Sequence, residues 1–235
     1  EPVVPQAIAA TLQRRFRLIG VQGIVRMALS GLDVALWDAL CKSAGLPLYA
    51  MLGAAPRPLR AYNSNGLGLV VPGGHVEEAA ALLEGGFKAV KLRLGRPDPD
   101  ADLAVVRAVR KSLSDEIALM VDFNQALTRA EANIVRAPDY VMPDLERIGG
   151  VTGWLQAAAL ASARGIEMSS HLFPEVSAQL LAATPTAHWL EYVDWANPIL
   201  RRPLRIDDGK AVLSDEPGVG LEWDEEKVAR YRTDR

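Results

Sequence analysis

The chain has 235 residues, of which 49% are hydrophobic, enough for one large domain with a substantial core. Its net charge of −3 gives no basic field, so we exclude nucleic acid as a partner. No apolar run is long enough to span a membrane, and a single cysteine, Cys41, excludes a disulfide framework and indicates a reducing, cytoplasmic compartment.

The N-terminal part of the chain predicts one long helix before the first strand. Residues 1–21 show little pattern. From Arg26 to Ala44 apolar residues recur every three or four positions, which predicts an amphipathic helix that ends at Gly45. The apolar residues are Val25, Leu29, Leu32, Leu36 and Leu40. The elements predicted next are a strand over Leu59–Tyr62, a polar run over Asn63–Gly66 and a helix over Val76–Leu83.

The stretch Phe87–Gln125 predicts a strand, a helix and a second strand. In Lys88–Leu94 the residues alternate, so that Lys91 and Arg93 share one face of the strand. The helix, from about Pro99 to Leu113, carries an apolar stripe. That stripe consists of Leu103, Val106, Val109 and Leu113. In the second strand Ile117, Leu119 and Val121 face the helix, and Met120, Asp122 and Asn124 share the opposite face.

The second half of the chain continues with shorter elements. A strand end is predicted at Tyr140–Asp144, and a helix begins at Gly149–Gly150, with Thr152 as a possible N-cap, and ends at Gly165. A strand is predicted over Glu167–Phe173, with His171 and Phe173 on one face. A helix from Val176 to about Ala183 follows, and then a strand over Trp189–Val193 that carries Glu191. The tail is predicted to consist of loops and short hairpins.

Repeated strand–helix units predict an α/β fold, and two absent motifs narrow the choice. Because there is no GxGxxG and no Walker A sequence, a barrel is favoured over a nucleotide-binding sheet. In such a barrel Lys91, Arg93 and Asp122 end adjacent strands on the interior side. Unpaired buried charge is costly, so these side chains indicate a functional site.

Four separated motifs of the chain are KAVKLR, LMVDFNQ, VMPDLERIGGVTGW and MSSHLFPEVSAQLLAATPTAHWLE. Together they resemble the mandelate racemase/muconate lactonizing enzyme family of the enolase superfamily. The resemblance runs from about Arg15 to Trp223. It implies a modified (β/α)7β TIM barrel with an N-terminal α+β capping domain that is largely missing from this chain. We expect residues 1–20 to be an edge of the capping region, 21–200 to form the barrel, and 201–235 to return to the capping domain.

The resemblance also implies a role for each candidate residue. Asp122 matches a Mg²⁺ ligand, and Lys91 matches a lysine that contacts the substrate carboxylate. His171 matches a catalytic base oriented by Asp144, and Glu191 matches an acid that hydrogen-bonds the substrate carboxylate. The other matching positions are Arg93, where the family has a second base, and Ser64 and Asn124, which match substrate contacts. The implied partners are a small-molecule carboxylate substrate and further copies of the chain in a homo-oligomer.

These roles predict removal of the α-proton of a hydroxy- or sugar-acid carboxylate through an ene-diolate. Mg²⁺, Lys91 and a protonated Glu191 would stabilise the second negative charge that builds up on the carboxylate. A neutral Glu191 is consistent with apolar surroundings. Asp144 would fix the tautomer of His171 and raise its basicity.

Two departures from the family pattern modify this prediction. The family's two further metal-binding glutamates belong on strands that are absent where the chain passes from Ala132 to Asn133. We therefore expect a longer polypeptide that has a further stretch between Ala132 and Asn133.

The second departure is Arg93, which stands where the family has a lysine base. A guanidinium does not accept protons near neutral pH. With His171 as the remaining base, our hypothesis is dehydration rather than racemisation, and both dehydration and racemisation or epimerisation stay open on the sequence.

Two other functions remain open on the sequence alone. A Schiff-base aldolase on a barrel would use Lys91 and need no metal. A non-catalytic, degenerate barrel would serve as a binding or assembly module.

Overall fold

The computed structural model describes residues 3–71, 74–124 and 140–233. The helices are α1 (Pro5–Arg15), α2 (Ile24–Ala44), α3 (Leu48–Met51), α4 (His75–Ala81), α5 (Pro99–Ser112), α6 (Leu145–Ile148), α7 (Gly150–Ala163), α8 (Pro174–Ala182) and α9 (Glu225–Ala229). The strands are β1 (Leu59–Asn63), β2 (Ala89–Arg93), β3 (Ala118–Asp122), β4 (Tyr140–Val141), β5 (Glu167–Met168), β6 (Leu190–Tyr192), β7 (Arg205–Asp207) and β8 (Lys210–Val212). Across these three ranges no helix combines the length and the apolar character needed to cross a membrane.

Six parallel strands form the wall of an incomplete barrel. β1 pairs with both β2 and β6, and β2 pairs with β3. β4 pairs with β5, and a bridge between Met168 and Ala187 ties β5 to the residues before β6. The wall therefore runs in the order β3-β2-β1-β6-β5-β4. The hairpin β7–β8 adds antiparallel pairing to the start of β1 at Leu59 and Arg60.

The predicted unit of β2, α5 and β3 is confirmed by the structure. Val90 and Leu92 of β2 pack with Val109 of α5 in an apolar cluster, and Lys91 points to the other side. One position of the predicted helix stripe is wrong, because Leu103 is exposed and Asp102 is buried in its place. The Asp102 carboxylate accepts hydrogen bonds from the loop after β2, which explains the exchange.

The N-terminal helices differ from the sequence prediction in two ways. Residues predicted to lack pattern form α1, and the leucine stripe of α2 is only partly buried. The fully buried residues of α2 include Asp33, whose carboxylate accepts hydrogen bonds from the backbone and side chain of Thr152. Thr152 thus lies inside α7 rather than at its N-cap, and Asp33 satisfies the helix start from outside. A side chain at Gly150 would collide with Asp33.

The strand predicted over Glu167–Phe173 ends early. Its ladder stops at Met168 with a single further bridge between Asp144 and His171. Leu172 and Phe173 follow in the left-handed region, with φ of 55° and 48°, and α8 begins at Pro174. This conformation is unfavourable for residues with a Cβ atom, so the packing around the corner must hold it.

The two ends of the wall expose apolar side chains. Val121 of β3, predicted to face the helix, is 48% exposed, and Tyr140 of β4 is 45% exposed. Between these strands lie residues 125–139, which fall outside the described ranges. The wall is therefore open at this point among the residues that the structure describes.

Candidate active site

The barrel interior holds a buried cluster built from three neighbouring strands. Lys91 of β2 is 4% exposed, and Glu191 of β6 is 1% exposed. The Lys91 ammonium lies 2.5 Å from Oε1 of Glu191, and Ser64, directly after β1, donates to the same oxygen at 2.7 Å. Three side chains predicted to contact the substrate thus meet at one oxygen of Glu191.

The surroundings of the Glu191 carboxyl favour its ionised form in the free protein, and the protonated acid expected beside a bound substrate stays a prediction. Burial raises its pKa, but the ion pair with Lys91 and the hydrogen bonds from Lys91, the Leu172 N–H and Ser64 outweigh this effect. The net pKa is lowered. In the free protein Glu191 therefore acts as an anion that accepts hydrogen bonds.

Glu191 also connects this cluster to the predicted base. Its Oε2 accepts a hydrogen bond of 2.8 Å from the backbone N–H of Leu172, the residue after His171. The left-handed conformation of Leu172 accompanies this contact. The strained corner and the ion pair therefore hold each other in place.

His171 and Asp144 form the predicted pair. Nδ1 of His171 lies 2.7 Å from Oδ2 of Asp144, while Oδ1 accepts hydrogen bonds from the N–H groups of Glu146 and Arg147 and so caps α6. Burial raises the pKa of Asp144, but the His171 bond, the Arg147 N–H and neighbouring positive charges lower it overall. An ionised carboxylate only accepts, so Nδ1 of His171 carries a proton, and in the neutral imidazole Nε2 is the acceptor.

Asp122 lies at the end of β3, beside the cluster. Its Oδ2 is 3.3 Å from the Lys91 ammonium, and its Oδ1 accepts from the Asn124 N–H at 2.7 Å. Burial raises the pKa of Asp122, whereas the Asn124 N–H, Lys91 and Arg93 lower it overall. Within the described ranges no group of three histidine, cysteine or acidic side chains could hold a metal. Since Mg²⁺ takes six oxygens, these residues fit one ligand position and not a whole magnesium site.

The Arg93 guanidinium donates to backbone carbonyls rather than to a carboxylate. It donates to the carbonyl of Gly66 and approaches both the carbonyl and the hydroxyl of Ser64 at 3.4 Å. It therefore fixes the loop after β1 and, through Ser64, supports Glu191. Asn124, the other predicted substrate contact, is exposed and left-handed at φ 49°.

A cavity of about 680 Å³ opens next to Leu172 and Phe173. It lies between α2, the start of α8 and the C-terminal segment, and Trp195 and Trp223 line it. Glu175 also lines it, although its side chain is 4% exposed and Oε1 has no hydrogen-bond partner among the described residues. Burial raises the pKa of Glu175.

The structure thus brings Lys91, Glu191, Ser64 and Asp122 together and links them to His171 and Asp144 through one backbone N–H. The roles of all these residues stay predictions. Sequence reasoning missed the Leu172 N–H, which no residue type signals. It also missed Tyr62, a buried residue two positions before Ser64, which the period of two along β1 could have identified.

Comparison with known proteins identifies the family. The "Enolase C-terminal domain-like" model matches residues 75–137 and 134–227, and the "Mandelate racemase / muconate lactonizing enzyme, N-terminal domain" model matches residues 3–53. The chain belongs to the mandelate racemase/muconate lactonizing enzyme family. The predicted family and barrel fold class, with an N-terminal capping domain, are confirmed.

Individual members of the mandelate racemase/muconate lactonizing enzyme family are similar over most of the chain. An L-talarate/galactarate dehydratase of Salmonella typhimurium is 30% identical over 262 residues, which cover 88% of this chain and 66% of that protein. A crystal structure of an enolase from alpha pretobacterium bal199 with bound magnesium has 38% identity, a TM-score of 0.91, and coverage of 98% of this chain and 79% of that one. An enolase from Bradyrhizobium complexed with magnesium and mandelic acid has 37% identity, a TM-score of 0.90, and coverage of 100% and 79%.

Proposed function

We propose that the protein is a Mg²⁺-dependent enzyme that removes the α-proton of a hydroxy-acid or sugar-acid carboxylate and then eliminates the β-hydroxyl as water. The observation that carries this proposal is the buried cluster of Lys91, Glu191 and Ser64 joined through the Leu172 N–H to the His171–Asp144 pair. It combines a site for a carboxylate with a base, His171, that directly precedes Leu172 in the chain.

Lys91 and His171 have separate tasks in the proposed reaction. Lys91 donates to the substrate carboxylate, and the electron pair of the broken C–H bond moves into that carboxylate as an ene-diolate. His171 takes the proton at Nε2, because Nδ1 is committed to Asp144. When the bond to the β-hydroxyl breaks, the same imidazolium returns the proton to the leaving oxygen, and the enol product becomes a 2-keto acid.

Magnesium, when bound, supplies positive charge next to the carboxylate oxygens. The relatives crystallised with magnesium support this cofactor, and Asp122 is the ligand that the described residues offer. Since the C-terminal domain model matches in two segments that meet at residues 134–137, we place the missing ligands in a stretch between Ala132 and Asn133 of a longer protein. The domain limits 1–20, 21–200 and 201–235 remain part of this proposal.

The choice of dehydration rests on Arg93. Its guanidinium is committed to backbone carbonyls, so His171 is left as the proposed base on one face of the substrate. The test incubates the full-length protein and Mg²⁺ with galactarate, L-talarate and each single enantiomer of mandelate in D₂O. We expect a 2-keto acid from a sugar acid and no inversion of mandelate. Deuterium incorporation with inversion of a single enantiomer would contradict the one-base mechanism.

The same assay separates the competing functions. An aldolase would keep its activity in EDTA and would be trapped at Lys91 by borohydride. A non-catalytic barrel would show no magnesium affinity and no turnover, with unchanged folding in His171→Asn.

A homo-oligomer in the cytoplasm completes the proposal. Leu18 and Ile19 in the link between α1 and α2, and Ile24 at the start of α2, are largely exposed, which is typical of a surface covered by another chain. Light scattering of the wild type and of Leu18→Asp tests this, since a smaller species is expected for the variant. Cys41 is buried as a free thiol, which is consistent with a reducing compartment.

A further inference from the structure

Tyr62 carries a buried hydroxyl without a partner. The side chain lies on β1 inside the barrel and is 1% exposed. Its hydroxyl has no hydrogen-bond partner with acceptable geometry among the described residues. Buried polar groups are satisfied in the great majority of cases, so an unsatisfied donor in a charged interior needs an explanation.

The surroundings of Tyr62 are the residues of the cluster. Tyr62 and Glu191 are direct partners in the register of β1 and β6, and the Lys91 ammonium lies 5.6 Å from the centre of the Tyr62 ring. Burial raises the pKa of the Tyr62 hydroxyl, and the charge of Glu191 raises it further. The approach of the hydroxyl to the Glu191 carboxylate, which falls short of hydrogen-bond geometry, and the charge of Asp122 act in the same direction, against the opposing effect of Arg93. The phenol is therefore a neutral donor close to the Glu191 carboxylate.

Glu191 has room for one more donor. Its Oε1 accepts from Lys91 and Ser64, and its Oε2 accepts from the Leu172 N–H. A carboxylate offers about four acceptor positions, so one position is left open. In the proposed reaction Lys91 turns to the substrate carboxylate, and Glu191 then loses its ion-pair partner while it remains buried. An unpaired buried charge is strongly unfavourable.

We propose that Tyr62 is a positioning residue whose hydroxyl takes the place of Lys91 on Glu191 when Lys91 moves to a carboxylate substrate. The trigger rests on the proposed function, but the exchange of donors is a property of the cluster itself. In the free protein the hydroxyl is held in reserve. With substrate bound it keeps Glu191 satisfied and the Leu172 corner in place.

The test measures thermal unfolding of the full-length protein, without substrate, in a double-mutant cycle. Lys91→Met removes the ammonium permanently and so reproduces its departure. We expect Tyr62→Phe to change the unfolding midpoint of the wild type by less than about 1 °C, because the lost hydroxyl had no partner. In the Lys91→Met background the same change is expected to lower the midpoint by about 2–4 °C.

A matched control and a second background keep the test decisive. Tyr192→Phe, at the neighbouring position of β6, removes a hydroxyl bonded to Asn197 and should have the same effect in both backgrounds. If Lys91→Met does not fold, Ser64→Ala removes a weaker donor from the same oxygen of Glu191, and a smaller coupling of the same sign is expected. An equal effect of Tyr62→Phe in both backgrounds, or a loss already in the wild type, overturns the proposal.

Turnover provides a second readout that a purely structural role would not move. Because Tyr62→Phe makes the departure of Lys91 less favourable, we expect a roughly five- to tenfold rise in KM for the acid that is turned over, at unchanged stability of the free enzyme. Should no acid be turned over, the proposed function fails while the unfolding cycle still decides the role of Tyr62.

Discussion

Two sectors of the barrel wall differ in how completely they are built. The closed sector consists of β5, β6, β1 and β2, and its interior residues Lys91, Glu191 and Ser64 are buried and satisfied by one another. The open sector consists of β3 and β4, where Val121 and Tyr140 are about half exposed on either side of residues 125–139.

The chemistry is divided along the same line. The closed sector holds the side chains proposed to bind the substrate carboxylate. The open sector begins at Asp122, the carboxylate proposed to bind the metal, and the described residues contain no group of three side chains that could hold one. In the proposed function, binding of the substrate anion depends on neighbouring strands that the structure describes, whereas binding of the metal needs ligands beyond the described residues.

The largest expected effect concerns the base beside the closed sector. His171→Asn removes the proton acceptor but keeps a donor for Asp144, so the fold should persist while kcat falls by about 10²–10⁴-fold. The measurement is formation of a 2-keto acid from galactarate or L-talarate, together with circular dichroism. His188→Asn is the control, because that histidine stacks on Tyr140 and should change turnover little. Unchanged turnover in His171→Asn would remove His171 from the mechanism.

The ion pair of the closed sector should dominate its stability. Lys91→Met leaves Glu191 buried without its counter-charge and is expected to lower the free energy of unfolding by about 3–5 kcal/mol. Arg205→Ala breaks an exposed pair with Asp207 and should cost less than about 1 kcal/mol. Urea unfolding of both variants checks this. Equal losses in the free energy of unfolding would show that the buried pair stabilises the protein no more than the exposed pair does.

Magnesium should act on the open sector alone. In the full-length protein we expect Mg²⁺ to slow amide hydrogen exchange at the end of β3 by roughly tenfold or more, with little change in β6. Asp122→Asn should abolish the protection of β3. Protection that is equal in the two strands, or that survives in Asp122→Asn, would speak against a metal bound at this rim.

The smallest effect distinguishes two buried glutamates by the sign of their pH dependence. The pKa of Glu175 is raised by burial, so its contribution to stability is present below the unfolded-state pKa and is lost as the pH rises through the folded-state pKa. Glu175→Gln should therefore be more stable than the wild type at pH 7, and the gain should shrink towards pH 4.

The pKa of Glu191 is lowered, and the sign is reversed. Its contribution is present above the unfolded-state pKa and is lost as the pH falls through the folded-state pKa. Glu191→Gln should be least stable relative to the wild type at pH 7, and the deficit should narrow at acidic pH. Unfolding curves at several pH values test both variants. Parallel curves would contradict the assignment of opposite shifts.

The spacing of residues within one segment correctly predicted those parts of the fold that depend on that segment alone. The alternation in β2 placed Lys91 in the interior correctly, because strand side chains change faces at every residue. It failed at Val121, whose exposure depends on the absence of a described strand beside β3, and at Leu103, which lost its place to the loop-binding Asp102. These outcomes are set by tertiary partners that a single segment does not contain.

The candidate site was predictable for a different reason. Motifs implied the pairing of His171 with Asp144 and the positions of Lys91 and Glu191, and the structure brings them into contact. The lowered pKa of Glu191 was not predictable, because it depends on the ion pair with Lys91 and on three hydrogen bonds rather than on burial alone. The Leu172 N–H and the Tyr62 hydroxyl act through geometry that only the folded chain shows.

The corner at Leu172 and Phe173 sets a conflict between robustness and activity. Two consecutive left-handed residues store backbone strain of about 1–3 kcal/mol each, which glycine would release. Leu172→Gly is therefore an attractive choice for anyone who wishes to make the protein more heat-resistant. The same substitution would let the chain rotate away from Glu191 and carry the adjacent imidazole with it, so variants selected only for survival at high temperature should tend to sacrifice turnover at this point.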